Sequence, residues 1–386
     1  MGATLDNVRE LAPRISQLGP TVEAERAMPP DLLAELKAAG VFRMYVPNSH
    51  GGDELPPLDV VQVIEEISRA DASVGWLATI GTNTPAIFAF LPPQTYDKIY
   101  ANGPDVIQAG SLIPRGRAVP TEGGYRFTGQ WPFASGCNHA DYIDFASFVE
   151  RPPNDRLSGD APRIRFGVVP AGEVEILDTW HVSGLKGTGS HDIQASDLFV
   201  PEEWTGSFLA PAPVVRHPLD AVRPLGRLGL ELAAVAVGTA QGAIDDLIEI
   251  GRTKKPLGGL MKRLAEDPAF QRQLGELDLE LRTARILLHT VARSDYERVT
   301  AGKELELREL LERRTVLSRV GELATAVVDG CYHRSGTTGL FESNALQRRL
   351  RDVHAVSQHA LFTMDALAPS GAFLLGEEVE GVFLLN

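Results

Sequence analysis

The stretch YRFTGQWPFASGCNHADYIDF, residues 125–145, alternates apolar and polar side chains and is punctuated by Gly and Pro. A period of two marks a strand with one face buried. On such a strand Trp131 and Phe133 share a side, and Ser135 falls on it as well. An aromatic wall with a hydroxyl two residues along suits a flat heteroaromatic cofactor, the rings stacking and the hydroxyl reaching a ring nitrogen. The same pattern equally fits a core strand of a sandwich that turns at Ser135-Gly136.

Similar runs surround this stretch: VIQAGSL, RIRFGVV, VEILD and ASDLFV, all between about 106 and 205. Before them the chain reads as helices punctuated by Pro and Gly: LDNVRELAPRISQL, PPDLLAELKAAG, PLDVVQVIEEISRAD and an apolar segment from Ser73 to Phe90. Pro30 suits a helix start and Gly40 a helix end. After about 222 the helical period returns over long stretches. Ala233, Val237, Ala240, Ile244 and Leu247 are spaced 4, 3, 4 and 3, and Leu274 to Val291 and Leu317 to Val327 carry comparable stripes. Stripes on consecutive long helices are what an antiparallel bundle buries. The expected fold class is α+β, mainly α: a helical domain at 1–104, a central β-sandwich or barrel at 105–215 and a four-helix bundle at 216–386. RPPNDRLSGDAPR, 151–163, reads as an exposed loop between strands.

With 386 residues, 44% of them apolar, the chain can bury a substantial core. A net charge of -14 argues against nucleic acid and anionic membranes, which need clustered basic surface. Two cysteines, Cys137 and Cys331, are too few for a disulfide framework and suit a reducing compartment. MGATLDNVRELAPRI carries acidic residues and no apolar signal core, so a cytoplasmic protein without anchor or export signal is expected.

No GxxxxGK[ST], HExxH or CxxC signature occurs. The nine histidines have no metal-binding spacing; His354 and His359 are five apart rather than the four that shares a helix face, and no metal is expected. Two further segments invite chemistry. In TWHVSGLKGTGSHDIQASDLFVP, the glycines with Thr188 and Ser190 can present backbone and hydroxyl donors to an anion or a polar ring edge, though such loops are more often plain turns. In NALQRRLRDVHAVSQHALF, His354 and His359 are placed to move protons near neutral pH, or to serve as ordinary structural histidines.

Taken together, VPNSHGGDE near position 50, YRFTGQWPFASG, GLKGTGSHDIQASDLFVP and RLRDVHAVSQH resemble the acyl-CoA dehydrogenase superfamily over essentially the whole chain. The resemblance implies a flavin between the β-domain and the bundle, flanked by Phe133, with Ser135 at its N5 edge and Thr188, Gly189 and Ser190 beside it. Two departures decide the subgroup. Dehydrogenases of the RDxKxxxIYEGT type place their catalytic Glu where this chain has Ala360, and a methyl group cannot take a proton. The Arg-x-x-Phe-Gly element that clamps FAD is replaced by GRTKKPLGG.

WPFASGCNHAD with RDVHAVSQH is instead similar to the group D two-component flavin monooxygenases, and SVGWLATIG with GTTGLFESNALQRRLRDVHAVSQH looks nearest to the indole-acetate type. That resemblance implies an oxygenase component fed reduced FMN or FAD by a separate NAD(P)H:flavin reductase. It implies reaction with O2 through a C4a-hydroperoxyflavin and oxidation of a small aromatic or heteroaromatic substrate. FMN is the favoured cofactor because the FAD clamp is missing. His359 takes the catalytic role, with Ser135 near N5 and His354 the lesser candidate. Trp131 and Phe133 flank the flavin. Arg252, Lys254 or Lys255 can meet its phosphate, which favours charge-assisted donors, or equally form a solvated basic turn after a helix. Trp76, Asn83 and His139 stand on the substrate side, and a homotetramer is expected. The rival reading is α,β-dehydrogenation of an acyl thioester.

Overall fold

The computed structural model describes residues 2–150, 163–207, 219, 224–255 and 263–379. Apart from Arg163, the loop expected at 151–163 lies outside the described residues, as does the expected boundary between 215 and 216.

The first helices are α1 (Ala3–Glu25), α2 (Pro30–Ala39), α3 (Pro57–Ala70), α4 (Ala72–Thr82), α5 (Thr84–Phe88) and α6 (Pro93–Ile99). Helix α1 runs through Pro13 and Pro20, well past the Leu18 at which its periodic pattern ends, because Ile15, Gly19 and Val22 are buried and packing outweighs the lost amide donors. The apolar segment 73–90 is two helices rather than one. Asn83, at φ -81° and ψ 0°, breaks it, and Pro85 starts the next turn. Asp71 caps α4 by accepting from the amides of Ser73 and Val74.

The strands are β1 (Gln108–Thr121), β2 (Gly124–Trp131), β3 (Tyr142–Val149), β4 (Ile164–Pro170), β5 (Glu175–Leu177), β6 (Asp192–Pro201) and the short β7 (Thr205–Gly206). They form one sheet in the order β5-β6-β2-β1-β3-β4-β7, antiparallel except for the parallel β1–β3 pair. Alternation gives the sheet two cores. Phe127, Trp131, Ile143 and Phe145 fill one side, whereas Ala146, Phe166 and Val168 pack with Phe88, Leu91 and Tyr96 of the helical domain.

The remaining helices are α7 (Pro224–Thr253), α8 (Pro268–Thr300), α9 (Leu307–Ser335), α10 (Ala345–Ser357) and α11 (Leu367–Leu375). The stripe Ala233, Val237, Ala240, Ile244, Leu247 is buried in full, as are Leu317, Val320, Ala324 and Val327. Helices α7 to α10 pack together, and α3 lies along α7, so one core runs from the first domain into the bundle. Among the described residues no helix is long and apolar enough to cross a membrane.

Candidate active site

Beyond Trp131 the chain leaves the sheet. Phe133 adopts φ +63°, a left-handed conformation that costs an L-residue about 1–2 kcal/mol, and its ring is 57% exposed. The turn it starts is strapped to the 188–191 loop, the amides of Ala134 and Gly136 donating to the carbonyls of His191 and Thr188 at 3.1 and 3.0 Å. An exposed aromatic held in a strained backbone is a platform rather than a core residue. Trp180 meets its edge at a ring distance of 6.1 Å.

Trp131 has to be corrected. Its indole is fully buried, lies 4.7 Å from the Phe145 ring and donates from Nε1 to the Ala146 carbonyl at 2.6 Å. It belongs to the core of the sheet. The alternation that put it beside Phe133 ends with the strand, because the left-handed backbone at Phe133 turns that side chain away.

Ser135, Ser190 and Thr188 form a buried chain of hydroxyls. Trp76 donates from Nε1 to Ser135 Oγ at 3.1 Å; Ser135 Oγ and Ser190 Oγ are 2.7 Å apart, as are Ser190 Oγ and Thr188 Oγ1; Thr188 donates to the Leu185 carbonyl at 2.8 Å. Leu185 sits at φ +51°, and its carbonyl also accepts from Trp180 Nε1 at 3.0 Å. The loop is clasped to α10: Leu185 N donates to Asp352 Oδ1 at 2.7 Å. A Cβ on Gly184 would stand 2.0 Å from the Arg351 carbonyl oxygen, so only glycine permits this approach. Burial, with the nearby Asp71 carboxylate, raises the Asp352 carboxyl to about 7.

His359 follows α10 and meets Trp76 edge-on, the rings 5.9 Å apart at 67°. Its Nδ1 accepts from the Leu361 amide at 3.3 Å, which leaves the neutral ring its proton on Nε2. Burial, reinforced by the Arg314 guanidinium, pushes its pKa down to about 4. Arg314 itself donates to the carbonyls of Ala360 and Leu361.

Asn83 donates from Nδ2 to the Thr79 carbonyl and to Glu231 Oε2, both at 3.0 Å, while its buried Oδ1 has no partner. Both partners of Nδ2 are acceptors, which fixes the amide orientation. Glu231 is fully buried on α7, and Tyr45 donates to its other oxygen at 2.5 Å. Burial raises this carboxyl to about 7.

Other candidates stand elsewhere. His354 is half exposed on α10 and paired through Nε2 with Asp329 Oδ1 at 2.8 Å, an outer contact of the bundle. His139 Nε2 accepts from the Met28 amide at 3.0 Å, tying the segment after α1 to the β-domain. Arg252 is exposed in the last turn of α7, Lys255 is exposed just beyond it, and Lys254 donates to the Ser335 carbonyl at 2.7 Å.

Sequence reasoning missed Trp180, Leu185, Arg314, Glu231 and Asp352. Glu231 did leave a signal, a lone charge inside the apolar run Leu230 to Val237. The three hydroxyls with the exposed Phe133 ring suit a flat ring with a polar edge, and so fit a flavin.

Comparison with known proteins shows the family and the fold. The family described as acyl-CoA dehydrogenase, N-terminal domain, matches residues 3–93, and the acyl-CoA dehydrogenase, C-terminal domain, matches 230–364. The indole-3-acetate monooxygenase of Pseudomonas putida is 31% identical over 97% of this chain and 93% of its own. The FADH(2)-dependent resorcinol hydroxylase, oxygenase component, of a Rhizobium species is 31% identical over 94% of this chain and 91% of its own. Among solved structures, the 3-HSA hydroxylase of a Rhodococcus species superposes with a TM-score of 0.91 at 25% identity, covering 100% of this chain and 99% of that one.

Proposed function

This chain belongs to the flavin-dependent monooxygenases built on the acyl-CoA dehydrogenase fold, and from that premise we propose that it is the oxygenase component of a two-component system acting on a small aromatic or heteroaromatic substrate. A separate NAD(P)H-dependent reductase supplies the reduced flavin, a reading supported by the oxygenase-component name of the Rhizobium relative. FMN is the preferred form, because the FAD-clamping Arg-x-x-Phe-Gly element is absent, and exposed Arg252 is the candidate for its phosphate.

The observation that carries the reading is the junction at Trp76, whose indole N–H holds Ser135 while its ring edge meets a neutral His359. Reduced flavin, when bound, supplies the electrons that activate dioxygen for transfer of one oxygen atom to the substrate. Phe133 offers the stacking surface, and Ser135, Ser190 and Thr188 present the polar edge. His359, uncharged at neutral pH, holds a proton at Nε2 and donates it as a hydrogen bond to the reacting oxygen or the substrate. Asn83 Oδ1, buried without a partner, receives an N–H or O–H of the substrate. The likeness to an indole-3-acetate monooxygenase supports an indole-like ring for that donor.

Dehydrogenation of an acyl thioester needs a bundle carboxylate as base. Position 360 is alanine, and both oxygens of Glu231 are engaged by Tyr45 and Asn83. We further propose a homotetramer in the cytoplasm, consistent with the buried thiols of Cys137 and Cys331.

The test is anaerobic mixing of the protein with reduced FMN, followed by oxygenated buffer in a stopped-flow absorbance instrument. Transient absorbance distinct from reduced and oxidised flavin, outlasting that of free flavin, is expected. Oxidation indistinguishable from free flavin, with and without indole-3-acetate, would overturn the assignment.

A further inference from the structure

Asn83 ends α4 on the face that carries Trp76, two turns earlier, and Thr79 lies between them on the same face. Two polar atoms of this face, Thr79 Oγ1 and Asn83 Oδ1, are buried with no hydrogen-bond partner among the described residues. A hydroxyl can donate or accept, so of the two only the amide of Asn83 imposes a polarity. The groups behind that amide decide which of its ends is left over. The Thr79 carbonyl has a weak claim on Nδ2, because the backbone amide of Asn83 already donates to it at 3.2 Å. Glu231 Oε2, reaching across from α7 at 3.0 Å, has the stronger one. Glu231 is wholly buried, and its Oε1 receives the hydroxyl proton of Tyr45, itself 2% exposed. An ionised carboxyl only accepts, so it draws Nδ2 towards itself and leaves Oδ1 as the group on offer.

We propose that Glu231 determines substrate specificity by acting through Asn83: it holds the amide with Oδ1 towards the substrate, so the site takes rings that present an N–H or O–H there and rejects isosteres that present an acceptor. This rests on the reading that Asn83 meets the substrate, and it makes Glu231 a positioning residue with no contact of its own to the reacting atoms. A glutamine in its place would fill the same volume yet reverse the choice. Its carbonyl would keep the Tyr45 proton, and its Nε2 would donate to Asn83 Oδ1, bringing Nδ2 round to face the substrate. That difference is a physical reason for a carboxyl at a fully buried position, where desolvation opposes its charge.

The test compares indole-3-acetate with benzofuran-3-acetate, which has the same outline but carries an oxygen acceptor in place of the ring N–H. Dissociation constants of both are measured by equilibrium dialysis with the FMN-supplied protein at about pH 8.5, where a carboxyl raised to about 7 is ionised. The wild type is expected to favour the indole by about tenfold or more, since the benzofuran sets a second acceptor against buried Oδ1. Glu231→Gln is expected to abolish or invert that preference. Glu231→Met, which frees the Asn83 amide to turn either way, is expected to narrow it. A merely structural role would weaken both ligands alike and leave their ratio in place. Equal affinities in the wild type, as when an internal water serves Oδ1, overturn the proposal. So does an unchanged preference in whichever of the two variants keeps its melting transition. Failure of the wild type to bind either ring overturns the indole-like reading of the substrate instead, so the two failures are distinguishable.

Discussion

The imidazole of His359 stands edge-on to the indole of Trp76 at a centroid distance of 5.9 Å, joining the segment after the last long bundle helix to α4 of the first domain. That contact keeps the imidazole ring in apolar surroundings, and burial together with Arg314 holds its pKa near 4. His359→Ala is expected to lower product formation by about 100-fold, as loss of a positioned proton donor does. Binding of reduced FMN remains within about twofold, because one hydrogen bond at most is disturbed. Comparing product with peroxide released per reduced flavin consumed checks both halves of this expectation.

His354 supplies the contrast. Its pairing with Asp329 is solvent-exposed, so His354→Ala is expected to change stability by no more than about 0.5 kcal/mol and to leave turnover at the wild-type value. A large loss of activity in this variant would mean that the wrong histidine has been assigned.

Phe133 sets stability against binding. Relief of its left-handed backbone in Phe133→Gly is expected to stabilise the fold by up to about 1 kcal/mol after the entropy that glycine adds to the unfolded chain. The lost stacking surface weakens FMN by about tenfold. A denaturant titration and an FMN titration on the same preparation should move in opposite directions.

Three buried carboxyls, Asp144, Glu231 and Asp352, have pKa values raised to about 7. The folded state therefore binds more protons than the unfolded state between the ordinary carboxyl range, about 4, and about 7. Stability from these groups is complete below pH 4 and is lost as pH rises through 7. His359 acts in the opposite sense over a lower window. Its pKa lies below the usual 6.5, so its contribution is present above pH 6.5 and is lost as pH falls towards 4. Asp352→Asn keeps an acceptor for the Leu185 amide and is expected to flatten the decline in melting temperature between about pH 4 and 7. An unchanged slope would locate the effect in the other two carboxyls.

Periodicity located the helices and strands well: the α7 and α9 stripes proved to be core, the α8 stripe is buried at Leu281, Ala284 and Leu288 but only partly at Leu274, Leu277 and Val291, and each alternating run became part of a strand. It failed where the backbone leaves regular geometry. Trp131 and Phe133 share a side only while the strand continues, and the left-handed turn at Phe133 separates an interior indole from an outward platform. Ser135, Thr188 and Ser190 could be proposed from local motifs, but their partner Trp76 lies 59 residues before Ser135, and no local pattern encodes that contact. Asp352 sat within a quoted motif without being singled out, because its character comes from burial against Asp71 and the Leu185 amide. His139 looked chemical from its nearness to the aromatic strand, yet the Met28 amide had already claimed its ring nitrogen.

The clasp of Gly184 and Leu185 onto α10 means that the hydroxyl loop and the segment bearing His359 share one mounting. Asn83 and Trp76 hang from a different support, α4 and its break. On the proposed reading, one jaw of the site thus carries parts that must keep mutual register for oxygen chemistry, and the other carries the part proposed to meet the substrate. On the same reading, a search for altered substrate range belongs on that first-domain support, around Asn83 and α5, with Trp76 left in place because it touches both Ser135 and His359.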